Sequence, residues 1–205
     1  MVPKIDEFKG VVASKQGWET LNDDKKAGVL IEIKKSVRGL YILRSTGVVN
    51  CSPTELYRML CYAPTKPKWD LKNEYTHYLK KIGVNAYVIH SKTKGSFVLS
   101  SRDFVANMIQ NTEKDGTVFY VASSTNCTDH DVGPLPKVIR GEVPLTGYIM
   151  QPFADDPNKC QMTIINELDL KGSLPEYAVK IAGKEKGMEV DRVRSVYPIW
   201  KKMFP

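Results

Sequence analysis

The hydrophobic positions of this chain alternate along most of its length, and helical spacing is confined to two places. From Ala27 to Arg44, Val29, Ile31 and Ile33 alternate with Leu30, Glu32 and Lys34, and Tyr41, Ile42 and Leu43 follow Gly39. This predicts strand, turn and strand. Ser52-Pro53-Thr54-Glu55 reads as a capping box, with Ser as N-cap, Pro at the first helical position and Glu at the third. It opens a short helix through Leu56, Met59 and Leu60, which Pro64 and Pro67 end. Strands are predicted next over 73–81, 85–93, 102–110, 117–124, 138–151 and 160–168, with Glu113-Lys114-Asp115-Gly116 as a hairpin turn. A second capped start, Ser173-Leu174-Pro175-Glu176, opens a long helix. In it Ala178, Ile181, Ala182, Val193, Val196, Trp200 and Phe204 repeat at helical spacing. Gly183 and Gly187 interrupt that pattern, each costing about 1 kcal/mol relative to Ala. Strands in succession without intervening helices mean a largely antiparallel sheet, so the class is α+β. With no internal repeat and no linker, residues 1–205 read as one domain.

Composition narrows the function classes. The 205 residues are 42% hydrophobic and 26% charged, which excludes a disordered or fibrous chain. No apolar run reaches the roughly 18 residues of a spanning helix. Met1-Val2-Pro3-Lys4-Ile5-Asp6-Glu7 lacks the apolar stretch of a signal peptide, so a cytoplasmic location is expected. Thirty Lys and Arg against twenty-three Asp and Glu give +7, which favours anionic partners. The basic residues are dispersed, with no Arg-rich helix and no zinc-finger spacing. The expected partner is therefore an anionic membrane surface, met transiently, and not nucleic acid. Cys51, Cys61, Cys127 and Cys160 form no C-x-x-C pair and read as reduced thiols. Cys127, Asp129, His130 and Asp131 crowd within five residues but read as a polar loop. A zinc site needs four well-spread ligands, so neither metal nor cofactor is expected.

Three segments resemble a known family. Ser100-Ser101-Arg102-Asp103-Phe104-Val105 resembles the "SPRDFV" segment of START domains, the lipid-transfer domains related to the steroidogenic acute regulatory protein. Val138-Ile139-Arg140-Gly141-Glu142 looks like that family's "VIRAE" strand, and Asp169-Leu170-Lys171-Gly172-Ser173-Leu174-Pro175 like its "DLKGWLP" approach to the last helix. The likeness runs over roughly 10–204. It implies a helix-grip fold, a curved antiparallel β-sheet wrapped around a long C-terminal α-helix with an internal lipid tunnel. It also implies one bound lipid, carried between membranes by a monomer without a cofactor. The gate is implied in the last helix and the loop before the "RDFV" strand, here Lys92 to Ser100.

Alternation nominates the lining: Tyr87, Ile89 and Ser91; Phe104, Ala106 and Met108; Val143, Thr146 and Tyr148; Met162, Ile164 and Asn166. A β-bulge at Pro144 would reverse parity beyond it. Ala178 and Ile181 would add the helix side. In the gate loop, Phe97, Val98 and Leu99 sit on a Gly-containing tip beside Lys92 and Lys94. They either fold back onto the domain or dock on lipid, gaining about 1.5–3 kcal/mol per buried side chain. Gly183 and Gly187 read as the hinge of a helix that shifts. Sterol-carrying START domains often bury an acid–arginine pair, and the alignment places Ser91 and Met108 at those positions. That tilts the reading towards phospholipid over sterol. Arg102 and Arg140 are the phosphate candidates, unless they make structural salt bridges. A helix-grip enzyme, cyclase-like and acting on a hydrophobic substrate, is the alternative, with His77, His90 and Glu142 as its candidate groups. No nucleophile elbow, P-loop or zinc-protease motif supports it, so no catalysis is expected. A lipid-sensing regulatory module is a third reading.

Overall fold

The computed structural model describes residues 2–95, 99–127, 132–172 and 174–204. Two elements that alternation does not mark come first, helix α1 (Val2–Ala13) and strand β1 (Glu19–Asp24). The predicted hairpin follows as β2 (Val29–Lys35) and β3 (Tyr41–Val49), turning where Gly39 adopts φ +75°. Helix α2 (Pro53–Cys61) starts where the capping box places it, with the Glu55 amide donating to Ser52 Oγ at 3.3 Å. A 3-10 turn (Ala63–Thr65) and the single turn α3 (Lys66–Trp69) lead into the remaining strands. These are β4 (Asn73–Gly83), β5 (Ala86–Thr93), β6 (Arg102–Thr112), β7 (Val118–Ser123), β8 (Ile139–Arg140), β9 (Glu142–Pro152) and β10 (Cys160–Asp169).

The strands form one sheet in the order β1-β2-β3-β10-β9-β7-β6-β5-β4. Every pairing is antiparallel except that of the short β8 with β6, which is parallel. The C-terminal helix departs from the expected form in two ways. It begins at Glu176 with Pro175 as an N-cap that makes no side-chain bond, two positions after the cap expected at Ser173, which lies outside the described residues. It is also divided at Met188 (φ −72°, ψ 4°) into α4 (Glu176–Gly187) and α5 (Glu189–Met203).

Each sheet face has its own core, as period-two side chains require. On the inner face, Val29, Ile31, Leu43, Met162 and Ile164 pack with Val190, Val193, Val196 and Trp200 of α5 and with Leu56 and Met59 of α2. On the outer face, Phe8 of α1 inserts among Ile42, Phe119, Leu145, Ile149 and Ile165. The bulge expected at Pro144 is present: Glu142 pairs with Asp169 and Leu145 with Glu167, which leaves Val143 and Pro144 opposite Leu168 alone. Leu145 consequently faces α1 while Val143 and Tyr148 both face inward. The sheet grips the C-terminal helices in the helix-grip arrangement.

The helix lies close to the sheet because of Gly187. A Cβ there would meet three Ile31 side-chain atoms at 2.7–2.8 Å, and Ser45 Oγ donates to the Gly187 carbonyl at 2.6 Å. Gly187 is therefore a contact point, whereas a Cβ on Gly183 would make ordinary contacts at 3.4 and 3.5 Å with Leu43 and Leu21. Gly183→Ala should raise stability by up to about 1 kcal/mol through helix propensity. Gly187→Ala should lower it by about 1–3 kcal/mol through overpacking. Urea melts of the two variants check the contrast, and equal effects would refute it.

Candidate functional site

A cavity of about 200 Å³ lies beneath α4. Its walls are Ile33, Tyr41 and Leu43 from the β2–β3 hairpin, Leu168 and Leu170 at the end of β10, and Val179, Ala182 and Gly183 from α4. Thr93, Lys94, Leu99, Ser100 and Arg102 close it on the gate-loop side. Leu168 and Leu170 also pack on a cluster of Phe104, Ala106, Met108, Ala122 and Val143, flanked by Tyr87, Ile89 and Tyr120. The cavity thus adjoins a larger apolar interior built from β5, β6, β7 and β9.

The nominated lining residues separate into groups. Tyr87, Ile89, Phe104, Ala106, Met108 and Val143 meet in that apolar cluster, while Tyr148, Met162 and Ile164 are buried deeper, under α5. Thr146 donates to Asn166 Oδ1 at 2.7 Å, and Asn166 lies on the cavity wall. Ser91 is half-buried opposite Phe104 and outside the wall. Ala178 is buried, but Ile181 is 59% exposed on the outer side of α4. The α4 residues that reach the cavity are Val179, Ala182, Gly183, Glu185 and Lys186, a different face from the one nominated. In the gate loop, Lys92 pairs with Glu74 at 2.8 Å, and Lys94 and Leu99 border the cavity. Phe97 and Val98 lie outside the described residues.

The polar candidates sort as clearly. His90 Nε2 lies 2.9 Å from Asp103 Oδ2, and Arg140 holds the same carboxylate through two hydrogen bonds of 3.0 and 2.8 Å. Burial would raise the Asp103 carboxyl, but the Arg140 and His90 hydrogen bonds hold it below its usual range. Arg140 is therefore a structural partner. His77 stacks on Tyr75, Glu142 pairs with Lys171, and neither these nor His90 line the cavity. Arg102 differs: it is 5% exposed, lines the cavity and, among the described residues, its guanidinium donates only to the backbone carbonyls of Leu170 (3.3 Å) and Ser100 (2.5 Å). Burial alone acts on it, and pushes its pKa down. Of Cys127, Asp129, His130 and Asp131, only Cys127 falls within the described residues, among which no group of ligands could hold a metal.

A buried ionic cluster at the inner end of the cavity was not anticipated. Lys186 Nζ lies 3.2 Å from Asp70 Oδ2 and also contacts Glu189 Oε1, while Tyr148 OH donates to Glu189 Oε2 at 3.2 Å. Tyr120 packs on Tyr148 at 4.7 Å between ring centroids. Burial and the neighbouring Asp70 push the Glu189 carboxyl up to about 8, against the pull of Lys186. Burial would also raise Asp70, but Lys186 and Lys66 hold it below its usual range. One signal was available, since Glu189 precedes Val193, Val196 and Trp200 by four, seven and eleven positions. It is an acid on the buried stripe.

The family model of the START domain matches residues 5–192. The chain belongs to the START domain family. Among curated START relatives, zebrafish (Danio rerio) mitochondrial steroidogenic acute regulatory protein is 32% identical over 116 residues, covering 55% of this chain and 39% of that protein. The chain thus matches about two fifths of that relative's length. Bovine (Bos taurus) StAR-related lipid transfer protein 5 is 25% identical over 174 residues, covering 80% of this chain and 78% of that one. The solved structure of human StAR-related lipid transfer protein 5 superposes with a TM-score of 0.87 at 20% identity, covering 98% and 95% of the two chains. That likeness supports the START fold. No helix among the described residues is long and apolar enough to cross a membrane.

Proposed function

We propose that this START-family chain binds one lipid beneath α4 and carries it between membranes, working as a cytoplasmic monomer that meets anionic bilayers transiently. The observation that carries the reading is the apolar cavity that borders the gate loop and adjoins the Phe104–Met108 cluster. At about 200 Å³ it is smaller than the roughly 300–1,000 Å³ of typical small-molecule sites, so loading requires the roof to lift. Helix α4 suits that role. Its only fully buried residues are Ala178 and Gly187, whereas α5 buries Glu189, Val190, Val193, Val196 and Trp200. Sparse burial places α4 at the low-stability end of the fold, and the break at Met188 supplies a pivot. The pivot sits beside Gly187, whose own role is contact with Ile31.

Phospholipid is favoured over sterol. Met108 is buried among Tyr87, Ile89, Ala106 and Ala122, so no charge stands at that position in the apolar interior. Lys94 and Arg102 lie instead near the gate loop, while Lys186 is paired with Asp70 and Glu189. Native mass spectrometry of the purified protein, followed by extraction, is expected to find one phospholipid per chain. Vesicle assays should then show that lipid moving between membranes. A sterol adduct would reverse the preference. A protein that neither holds a lipid nor moves one would overturn the reading.

A further inference from the structure

We infer that Arg102 and the Asn166 side-chain amide form a subsite for the phosphate of a glycerophospholipid headgroup on the cavity wall, an assignment that rests on the lipid-carrying reading above. Among the described residues six charged side chains line the cavity: Lys72, Lys94, Arg102 and Lys186 against Asp70 and Glu185. Both carboxylates have partners, Asp70 with Lys186 and Glu185 with Lys72, each at 3.2 Å. Arg102 and the exposed Lys94 are the remaining positive charges. Arg102 pairs with no carboxylate among the described residues, although its neighbour Asp103 is fully committed to Arg140 and His90. A buried guanidinium facing only neutral carbonyls is short of an anion.

Asn166 is the second, independent observation. It is 9% exposed, and its Oδ1 accepts from Thr146, yet its Nδ2 has no partner among the described residues. Buried donors are rarely left unpaired, and one on a cavity wall is satisfied by what enters the cavity. A phosphate offers enough oxygens to accept from a guanidinium and an amide together. A sterol hydroxyl would serve Asn166 and leave Arg102 without its anion. With the phosphate held here, the acyl chains are free to run past Leu168 and Leu170 into the Phe104–Met108 cluster.

The test compares two pyrene-labelled lipids with the same acyl chains, phosphatidic acid and diacylglycerol, each moved from phosphatidylcholine donor vesicles to unlabelled acceptors. The wild type is expected to transfer phosphatidic acid about tenfold faster or more, the scale of one charge-assisted hydrogen bond. Arg102→Gln and Asn166→Leu should each bring the phosphatidic acid rate down towards the diacylglycerol rate measured on the same variant, so that the ratio of the two rates collapses towards one. Thermal melts establish that the variants fold; should Arg102→Gln not fold, Arg102→Lys and Asn166→Leu decide. Equal wild-type rates for the two lipids, or phosphatidic acid transfer indifferent to both substitutions, would overturn the subsite and leave lipid transfer standing. Transfer of neither lipid would overturn lipid transfer and the subsite with it. A third arm adds inorganic phosphate. If phosphate raises the melting temperature of the wild type but not of Arg102→Gln, and the two lipids move equally, the site belongs to the free anion and the headgroup assignment fails.

Discussion

Replacing Lys186 with Met should lower the unfolding free energy by about 3–5 kcal/mol, the range for removing one partner from a buried charge network. The ammonium contacts Asp70 and Glu189 together, and the Glu189 side chain is 1% exposed. Without the lysine, two carboxyls from α3's C-terminal edge and the start of α5 face each other in an apolar setting. Proton uptake by Glu189 limits the damage, since its carboxyl already sits near 8 with the lysine in place. Asp70→Asn in the same background should recover part of the loss, because it removes the carboxylate that has lost its 3.2 Å partner and keeps the weaker pull of Lys66. Urea denaturation of the single and double variants measures both effects. A loss under about 1 kcal/mol, within the range of exposed pairs, would show that the cluster is hydrated and open.

The same cluster sets a pH dependence whose sign follows from Glu189. Its carboxyl has an ordinary value of 4.5 and stands near 8 in the folded protein, raised by burial and by Asp70. Between those values the folded state holds a proton that the unfolded chain has released. Stability should therefore fall as pH rises from about 4.5 to 8 and level off above that. Asp70, held below its ordinary 3.8, contributes in the opposite sense: its share is lost as pH falls below that value. Lys186, raised by its two acids, stays charged throughout, and Lys66 is lowered by burial against the opposing pull of Asp70 and Glu189. Melting temperatures of the wild type and Glu189→Gln across pH 5–8 isolate the term. The wild type should decline relative to the variant.

What could be read from the sequence was what short-range chemistry decides. Ser52, Pro53 and Glu55 announce α2 because a cap is settled within four residues. Pro144 announces the bulge in β9 because its ring cannot donate to a ladder. Elements held by distant partners were silent. Phe8 is the single fully buried side chain among the core residues α1 contributes, and β1 is a polar edge strand, Glu19-Thr-Leu-Asn-Asp-Asp24. The lining face of α4 was misplaced for a related reason. Tyr177, Ala178, Val179, Ile181 and Ala182 put apolar groups all around the first turns, so periodicity alone cannot choose a face. Burial chooses it, by turning Val179, Ala182, Gly183 and Lys186 inward. The ionic cluster joins Asp70 to Lys186 across 116 positions, a contact no local pattern encodes.

The side chains this leaves outside define the second large effect. Tyr177 and Ile181 are 64% and 59% exposed, four residues apart on the helix that roofs the cavity, with the exposed Lys184 one turn further on. An apolar pair on a movable roof, over a cavity whose gate-loop side carries Lys94, is placed to enter a bilayer as the roof lifts. Burying both in lipid would contribute about 3–6 kcal/mol, and each nearby lysine about 1 kcal/mol at an anionic surface. The double variant Tyr177→Asp/Ile181→Asp should therefore bind vesicles of phosphatidylcholine and phosphatidylserine at least about a hundredfold more weakly in sedimentation, with transfer falling in step. Lys184→Gln should cost less than about tenfold, and that loss should vanish in high salt while the apolar loss persists. Because both substitutions lie on exposed positions away from the cavity wall, the variant should still take up lipid presented in detergent micelles, as native mass spectrometry would register. Unchanged vesicle binding would remove α4 from the docking surface. Loss of micellar loading along with vesicle binding would mean that the pair supports the roof itself, and that the bilayer meets the protein elsewhere.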